Sequence, residues 1–376
     1  MGIGAAVLAV LVVLLACFGG RALLGIGDDE APAGPAPVDP VQGWSRTAEW
    51  ASPALTKGGD APVLVSGSTV LTTTSTDSGT ELTALDAEDG HTLWSSPTEG
   101  ELTGPPQLIT RDDEPAVVAA SANTLMVWSD LETDDPTPEP ETWDFTEAEV
   151  TLVEDSPVPL LANEETLTAL VLTGDELVKR TFPSETTPIA ADDRGGVTAV
   201  RDSGHWYSMR HPTRVPEPTL LRPPGMGSQV REVLGTAGST LVVSWSERGG
   251  RSRVIGYDMT AKMKPVWQSR VRGNPAAESF RAAPGGDWLI VHGMAIDART
   301  GESQQLPHGW RTIAMTDERA WSREHVVAED GRVEKLKTPV KDEAGVPVAE
   351  TKDGLGLVVA ARDDKAPRIY ALRPSD

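Results

Sequence analysis

The sequence predicts an all-β protein, an eight-bladed β-propeller that follows an N-terminal transmembrane helix. Three observations predict this architecture. The chain has 11 tryptophans against 4 phenylalanines and 3 tyrosines, short runs of Val, Leu, Thr and Ile recur between turn residues, and one turn motif repeats at multiples of about 42 residues. Seven blades is the alternative count, because only about 30 residues separate Gly301 from Gly331.

The composition of the 376-residue chain excludes several classes of function. Its formal net charge is -23, and this acidic excess repels the phosphates of nucleic acids and anionic lipid head groups. The single cysteine, Cys17, excludes an intramolecular disulfide, and zinc or iron–sulfur sites that need several thiolates. We therefore expect no nucleic-acid partner.

Residues 1–25 are predicted to anchor the chain in the cell membrane as a single helix. Residues 1–20 carry no charged side chain, and the apolar character resumes after Arg21. About 20 helical residues cross a hydrocarbon core of about 30 Å, whereas the apolar core of a signal peptide is usually about 7 to 15 residues long. A retained anchor is therefore favoured, with an uncleaved signal as the alternative.

Cys17 offers a second interpretation of this segment. In Leu14-Leu15-Ala16-Cys17 a small residue precedes the cysteine, which is the pattern that lipoprotein processing recognises, so Cys17 is a candidate lipidation site. Three features oppose it: no Lys or Arg precedes the apolar run, Leu15 stands where a smaller residue is usual, and bulky Phe18 follows directly. The remaining interpretation of Cys17 is a small lipid-facing hydrophobic residue.

Residues 26–42 are predicted to be an acidic, proline-rich linker. The stretch 28–42 contains four prolines and no aromatic residue, which favours an extended, semi-rigid tether. Only Arg21 and Arg46 lie near the span, too few to set its orientation by charge bias. Large domains can be translocated regardless of local charge, so we expect the propeller on the extracytoplasmic side.

The repeating motif is clearest at Leu82–Trp94: a strand ending in Asp86, a tight turn ending in Gly90, and a strand that carries tryptophan. Partial copies occur at Tyr257–Trp267 and Met294–Gly301. An aspartate can cap its own turn, glycine allows a positive φ, and a large residue on the outer strand can wedge against the neighbouring blade. The predicted turn caps are Asp86, Gly90, Asp258, Asp297 and Gly301.

The spacing of these turns sets the size of the unit. Gly90 and Gly174 are about 84 residues apart, and Gly174 and Gly301 about 127, close to two and three times 42. Such a unit is too short for an immunoglobulin-like domain of about 100 residues and suits one four-stranded propeller blade.

This motif resembles the quinoprotein-type, or PQQ-like, β-propeller repeat, whose signature is Ala-Leu-Asp-Ala-x-Thr-Gly-x-x-x-Trp. Leu85 to Trp94 match it, whereas in degenerate copies Val178, Gln305 and Lys335 stand where the tryptophan would be. In quinoprotein dehydrogenases the cofactor lies in the central channel beneath an adjacent-cysteine disulfide, with calcium and a catalytic aspartate. No residue here matches those contacts, so we expect no PQQ and no other cofactor.

The tryptophans predict how the ring is assembled. Trp50, Trp94, Trp143 and Trp267 fall where outer-strand docking residues belong. Residues 43–53 form an orphan outer strand, which is predicted to pair with residues 346–376 and so close a propeller over residues 43–376. Trp44 and Trp310 have no assignment, and the remaining five are assigned to inner or middle strands: Trp128, Trp206, Trp245, Trp288 and Trp321.

The sequence contains no recognisable catalytic or metal-binding motif. The six histidines have no metal-pair spacing, and no nucleophile elbow, P-loop or His-Glu-x-x-His occurs. Asp86, Asp258 and Asp297 recur at one place in the repeat, which favours turn caps over calcium ligands. We therefore expect a non-catalytic protein-interaction or envelope-assembly scaffold. The alternative is a small quinoprotein-like oxidoreductase or a ligand-sensing domain with a site in the central channel.

Charge is divided unequally along the chain. Residues 1–178 have a net charge of -27 and residues 179–376 one of +4. Residues 130–149 contain nine acidic residues and no basic one. This segment is either a solvated loop that keeps the protein soluble or a surface that docks a basic partner or loosely binds divalent cations. Besides the membrane, we expect a protein partner in the cell envelope.

Overall fold

The structure is a computed structural model. It describes residues 39–55, 62–76, 79–112, 114–154, 156–201, 203–210, 219–221, 230–247, 252–271, 273–341, 345–361 and 366–375. The predicted anchor, Cys17 and residues 26–38 of the predicted linker lie outside these ranges. In the described ranges the only helix is the 3-10 turn Ala277–Ser279, and no helix there has the length and apolar character needed to span a membrane.

The predicted eight-bladed, all-β propeller is confirmed. The described residues form 32 strands in eight antiparallel sheets of four, each sheet being one blade. Strand β1 is Trp50–Ala51. Blade 1 contains β2 (Leu64–Ser66), β3 (Thr69–Thr76), β4 (Gly79–Asp86) and β5 (Thr92–Pro97). Blade 2 contains β6 (Gln107–Arg111), β7 (Glu114–Ala120), β8 (Thr124–Trp128) and β9 (Glu141–Asp144). Blade 3 contains β10 (Thr151–Leu152), β11 (Leu160–Asn163), β12 (Thr168–Thr173) and β13 (Glu176–Thr181). Blade 4 contains β14 (Thr187–Ala191), β15 (Val197–Val200), β16 (His205–Met209) and β17 (Thr219–Leu220).

The second half of the chain continues the same meander. Blade 5 contains β18 (Val230–Ala237), β19 (Thr240–Ser246), β20 (Ser252–Asp258) and β21 (Lys264–Val271). Blade 6 contains β22 (Phe280–Ala282), β23 (Trp288–Val291), β24 (Met294–Asp297) and β25 (Ser303–Gln305). Blade 7 contains β26 (Ala314–Met315), β27 (Arg319–Trp321), β28 (His325–Ala328) and β29 (Val333–Lys335). Blade 8 combines β30 (Ala349–Glu350), β31 (Gly356–Ala360) and β32 (Arg368–Leu372) with β1. The alternative count of seven is wrong, because blade 7 fits into its short interval with strands of two to four residues.

Blade 8 closes the ring by joining the two ends of the described chain. Trp50 pairs with Ala371, and Ala51 pairs with Tyr370. The N–H of Ser52 donates to the carbonyl of Ile369 at 2.9 Å, and an isolated bridge joins Trp44 to Pro374. The edge of β32 is thereby covered, which removes an open sheet edge.

Two residues at the end of the predicted linker contact the propeller. Val41, assigned to the linker, is 9% exposed, and its N–H donates to the carbonyl of Gly345 at 2.7 Å. The side-chain oxygen of Gln42 accepts the N–H of Lys337. An apolar side chain and two hydrogen bonds therefore fix residues 41 and 42 to blade 8 and the connection before it.

In the described ranges the core consists of eight apolar clusters, one between each pair of neighbouring blades. Middle strands are buried on both faces: in β19, Leu241 and Val243 pack toward blade 4 while Val242 packs toward blade 6. This two-sided burial explains why the strands read as continuous apolar runs instead of an alternating pattern.

Candidate functional site

The meander gives each blade two different ends. The turns between the first and second strands and between the third and fourth lie at one end, called here the turn end. The turns between the second and third strands and the connections to the next blade lie at the other, called here the connection end. First strands of neighbouring blades contact one another: β2 contacts β6 and β30, and β18 contacts β22. The first strands therefore face the centre of the ring.

The predicted aspartate caps hold turns at the turn end. The Asp86 Oδ1 accepts the N–H of Glu88 at 2.7 Å, and Gly90, at φ 73°, donates its N–H to the Asp86 carbonyl at 2.9 Å. Asp297 and Gly301 repeat this arrangement, with Gly301 also at φ 73°. The Asp258 Oδ1 accepts two backbone N–H groups and the hydroxyl of Thr260, in a turn that ends without glycine.

The ionised form of Asp297 stabilises its turn. Burial raises the pKa of Asp297, but hydrogen bonds from the N–H groups of Thr300 and Arg299, at 2.7 and 2.8 Å, outweigh it, so the pKa lies below its usual value. A carboxyl whose pKa is lowered on folding stabilises the folded state above its unfolded-state pKa, and this contribution is lost as the pH falls through the folded-state pKa.

Replacing Asp297 with alanine is expected to lower the free energy of unfolding by about 1 kcal/mol at pH 7, because two backbone N–H groups lose a charged acceptor. The difference from the wild type should shrink as the pH falls below the ordinary aspartate pKa of about 3.9. Urea unfolding at pH 7 and pH 3 measures it. Asp297→Asn, which keeps an acceptor oxygen, is the control and should lose less at pH 7. If Asp297→Ala lowers the free energy of unfolding by the same amount at both pH values, the ionised form is not the source of the stabilisation.

Each predicted docking tryptophan lies on an outer strand and reaches the turn between the third and fourth strands of the next blade. The indole N–H donates to a backbone carbonyl there in all four cases: Trp50 to Ala87 at 3.1 Å, Trp94 to Leu131 at 3.1 Å, Trp143 to Asp175 at 2.9 Å and Trp267 to Ala298 at 2.6 Å. A Cβ on Gly90 would overlap the Trp50 ring, and one on Gly301 would overlap Trp267. Trp50 and Trp267 thus dock on turns that contain predicted caps, whereas Trp94 and Trp143 dock on turns that contain no predicted cap.

One degenerate position uses another side chain than the sequence indicated. In blade 6, Gln304 and not Gln305 lies over Gly331 of the next blade. In blade 3, Val178 pairs with Val171 as Trp94 pairs with Ala84 in blade 1, so it has the predicted register. The buried Arg180 lies two residues further along this strand, and its Nε donates to the Gly195 carbonyl of blade 4 at 2.8 Å. The sequence count missed the register in blade 6, because that strand has no tryptophan to fix it.

The five other predicted tryptophans lie on second or third strands: Trp128, Trp206, Trp245, Trp288 and Trp321. Trp44, which had no assignment, contacts Gly356 of β31, and the Arg319 guanidinium lies 5.3 Å from its ring centroid. Glu350 of the inner strand β30 is the ion-pair partner of Arg319 at 3.1 Å and accepts the Thr316 hydroxyl at 2.9 Å. Burial raises the pKa of Glu350 although Arg319 opposes the shift. This pair of a half-buried arginine and a buried glutamate joins blades 7 and 8.

One group of potential metal ligands occurs among the described residues: Asp86, Asp89 and His91. The His91 Nδ1 lies 2.5 Å from the Asp89 Oδ1, and the Asp86 Oδ1 already accepts N–H groups of its own turn. A hydrogen bond from the His91 backbone N–H lowers the pKa of Asp89 most, and the hydrogen bond to the His91 ring lowers it further. These contacts assign the three side chains to the docking turn beneath Trp50.

The acidic segment is held against blade 1 over its first part. Leu131 is 4% exposed and its carbonyl accepts the Trp94 indole, while the N–H of Ser95 donates to the Pro136 carbonyl at 3.1 Å. Only two of the nine carboxylates between residues 130 and 149 form ion pairs with described residues, Glu141 with Arg111 and Glu147 with Lys179. The segment therefore presents carboxylates from a fixed backbone.

Exposed acids share the turn end of three consecutive blades, in the turns between third and fourth strands or directly after them. We call this set the acidic rim: Glu88, Asp89, Asp130, Glu132, Asp134, Asp135, Glu139, Asp175 and Glu176. No Lys or Arg lies in these three turns, whereas the matching turns of blades 5, 6 and 7 contain Lys262, Arg299 and Arg332. The charge asymmetry of the sequence thus becomes a localised negative surface.

No protein-family model and no curated protein sequence matches this chain. The chain is similar in structure to BamB from Moraxella catarrhalis, with 12% identity, a TM-score of 0.44 and coverage of 83% of this chain and 96% of that one. The dihydro-heme d1 dehydrogenase NirN has 14% identity, a TM-score of 0.40 and coverage of 86% and 77%. The uncharacterised protein lmo1340 from Listeria monocytogenes EGD-e has 12% identity, a TM-score of 0.44 and coverage of 82% and 100%. At these values none of the likenesses carries a function to this chain, and the PQQ-like repeat stays a resemblance of residues 85–94.

Proposed function

We propose that this protein is a non-catalytic binding platform, anchored in the cell membrane by its N-terminal segment, whose extracytoplasmic propeller docks a basic protein partner of the cell envelope on the acidic rim. The observation that carries the proposal is the concentration of nine exposed carboxylates on a rigid edge of blades 1 to 3.

Rigidity distinguishes this surface from a charged tail. The turns that carry Glu88 and Asp175 each have a docking tryptophan against them, Trp50 and Trp143, and the longer turn of blade 2 is fixed at Leu131 and Pro136. A partner that binds such a surface does not have to order it first, so less conformational entropy opposes the association.

Charge supports a basic partner over a neutral one. The rim has nine carboxylates and no cation in the same turns, so its field attracts positive surfaces at distances up to a Debye length of about 8 Å at physiological salt. Complementary charge of this kind chiefly raises the rate of association and selects the partner. The competing interpretation is that the carboxylates only keep the protein soluble.

Site-specific photo-crosslinking in living cells tests the docking. A crosslinking amino acid at Asp134 is expected to capture a partner, whereas one at Lys262, in the matching turn of blade 5, is not. In a second protein the crosslinking amino acid replaces Glu176. Its captured band should fall at least tenfold when Asp130, Asp134 and Glu139 are also replaced by lysine.

Two further measurements test the placement in the membrane. Protease added to the same intact cells should remove the propeller, and Cys17→Ser should leave the protein in the membrane.

A charge-matched control separates docking from solubility. Replacing the exposed Glu302, Glu324 and Glu334 with lysine changes the net charge equally but lies on blades 6 and 7. If this control weakens the crosslink as much as the rim variant does, the rim acts only through net charge and the docking proposal is wrong. Full protection of the propeller from external protease would overturn the extracytoplasmic placement.

A further inference from the structure

A cavity of about 990 Å³ lies at the connection end of blade 6, beside blade 7 and away from the acidic rim. Three separate segments line it: residues 273–281 before and within β22, residues 292–293 between β23 and β24, and residues 305–312 in the connection to blade 7. Its volume is within the range of pockets that hold small organic molecules, about 300–1,000 Å³.

The cavity has an apolar floor and one aromatic wall. Ile290 and Leu306, which line it, are 1% and 3% exposed and belong to the apolar cluster between blades 6 and 7. Trp310 is half-buried, and its indole N–H donates to the Thr312 hydroxyl at 3.0 Å, which fixes the ring. Trp310, which had no place in the ring assembly, therefore presents an oriented aromatic surface to the cavity.

The charged groups of the cavity are predominantly positive. Arg281 and Arg311 line it with exposed side chains, and neither forms an ion pair with a carboxylate of the described residues. Among the described lining residues, Glu278 is the one with a carboxylate. Two imidazoles, His292 and His308, add N–H donors. Guanidinium groups bind carboxylate and phosphate oxygens through paired N–H donors, which a single ammonium does not offer.

The backbone that places His292 is unusual. His292 and Gly293 form a two-residue hairpin turn with φ values of 47° and 75°, between the paired residues Val291 and Met294. Turns of this kind favour Asn-Gly or Asp-Gly, and a histidine held in the left-handed region costs about 1–3 kcal/mol. Its ring lies against Gly273, where a Cβ would be only 2.7 Å from Nε2. The turn therefore retains a strained residue whose imidazole faces the cavity.

Two hydrogen bonds fix the shape of the cavity. The Gln305 side chain donates to the Gly293 carbonyl at 2.8 Å, and the Leu306 N–H donates to the same carbonyl at 2.9 Å. These two bonds join the hairpin turn to the start of the connection that carries His308, Trp310 and Arg311. A preformed site of this kind needs little reorganisation to bind a ligand.

We propose that this cavity binds a small organic anion that carries a carboxylate or phosphate group. Arg281 and Arg311 bind the anionic group, His292 donates to it, and Trp310 with Ile290 contacts the remainder of the molecule. The site lies on a different blade from the acidic rim and at the opposite end of the propeller, so it does not depend on the proposed docking function.

The test uses the full-length protein in nonionic detergent, with citrate and glucose 6-phosphate as the two anionic probes and glucose as the neutral one. Labelling with ¹⁵N-tryptophan gives indole N–H signals, of which Trp310 is assigned through Trp310→Phe. Citrate or glucose 6-phosphate is expected to shift the Trp310 signal with a Kd below about 1 mM, and glucose is expected to leave it in place. A response to only one anion identifies the carboxylate or the phosphate as the recognised group.

Variants distinguish a site from general attraction. Arg281→Gln and Arg311→Gln should each weaken binding about tenfold, and Glu278→Gln should strengthen it, because the lining then loses its carboxylate. Arg299→Gln, at the turn end of the same blade, is the control and should leave affinity unchanged. Unshifted signals of the other tryptophans show that a variant is folded. No Trp310 shift with either anion up to about 10 mM, or equal weakening by Arg299→Gln, would overturn the proposal.

Discussion

Replacing Trp94 with alanine is expected to lower the free energy of unfolding by about 3–5 kcal/mol, the usual cost of truncating a buried tryptophan. Trp94 is 1% exposed, packs between blades 1 and 2, and donates its indole N–H to the Leu131 carbonyl. Urea unfolding followed by circular dichroism measures the change. Because Leu131 fixes the blade 2 part of the acidic rim, the variant should also weaken crosslinking from Asp134.

Two variants show which part of the Trp94 contact matters. Trp94→Phe keeps most of the apolar contact but leaves the Leu131 carbonyl without its donor, at an expected cost of about 1–3 kcal/mol. Trp143→Ala removes the same type of hydrogen bond from a half-buried tryptophan and should cost less than Trp94→Ala. If Trp143→Ala costs as much, burial between blades is not what the docking tryptophan contributes.

The second large effect is expected at Gly301. Gly301→Ala should lower the free energy of unfolding by about 2–5 kcal/mol for two reasons. A non-glycine residue at φ 73° costs about 1–2 kcal/mol. The added Cβ also overlaps Trp267 and forces the docked indole outward, which adds about 1–3 kcal/mol. The same unfolding measurement applies.

Gly174→Ala isolates the backbone part of this cost. Gly174 occupies the corresponding turn between the third and fourth strands of blade 3 at φ 57°, and a Cβ there has no neighbour within 4 Å. Its replacement should cost only about 1–2 kcal/mol. Equal losses at Gly174 and Gly301 would mean that the tryptophan moves freely, and the wedge between blades 5 and 6 would then be absent.

The blade, its turn cap and its docking tryptophan could be predicted from sequence, because one short motif contains all the residues that specify them. Asp86, Gly90 and Trp94 lie within nine residues, so a single turn specifies a cap, a positive φ and a wedge, and its spacing gives the blade. Ring closure could be predicted because Trp50 stands alone, without the strands that should precede an outer strand. The place of Gln304 could not be predicted, since a substituted wedge is recognised only when the register of its strand is known.

The cavity of blade 6 was not visible in the sequence. Arg281, His292 and Arg311 belong to three segments of the connection end, where the chain has no repeat, and no motif links them. One signal was available: His292-Gly293 interrupts two apolar runs where a hairpin turn calls for Asn or Asp before the glycine. The acidic rim was visible only as composition, because its position follows from the meander.

Ring closure has a consequence for how the molecule matures. Strand β1 precedes every other described strand in the chain, yet its partner β32 is the last of them. The Trp50 to Ala371 pairing therefore closes a loop of about 320 residues, which costs far more chain entropy than pairing two consecutive strands within a blade. Until β32 has been made, β1 has no strand partner, and only the contact of Trp50 with the Ala87 turn of blade 1 can hold it. Strand β1 of the newly made chain is thus open to chaperone capture, proteolysis or mispairing until β32 is translated.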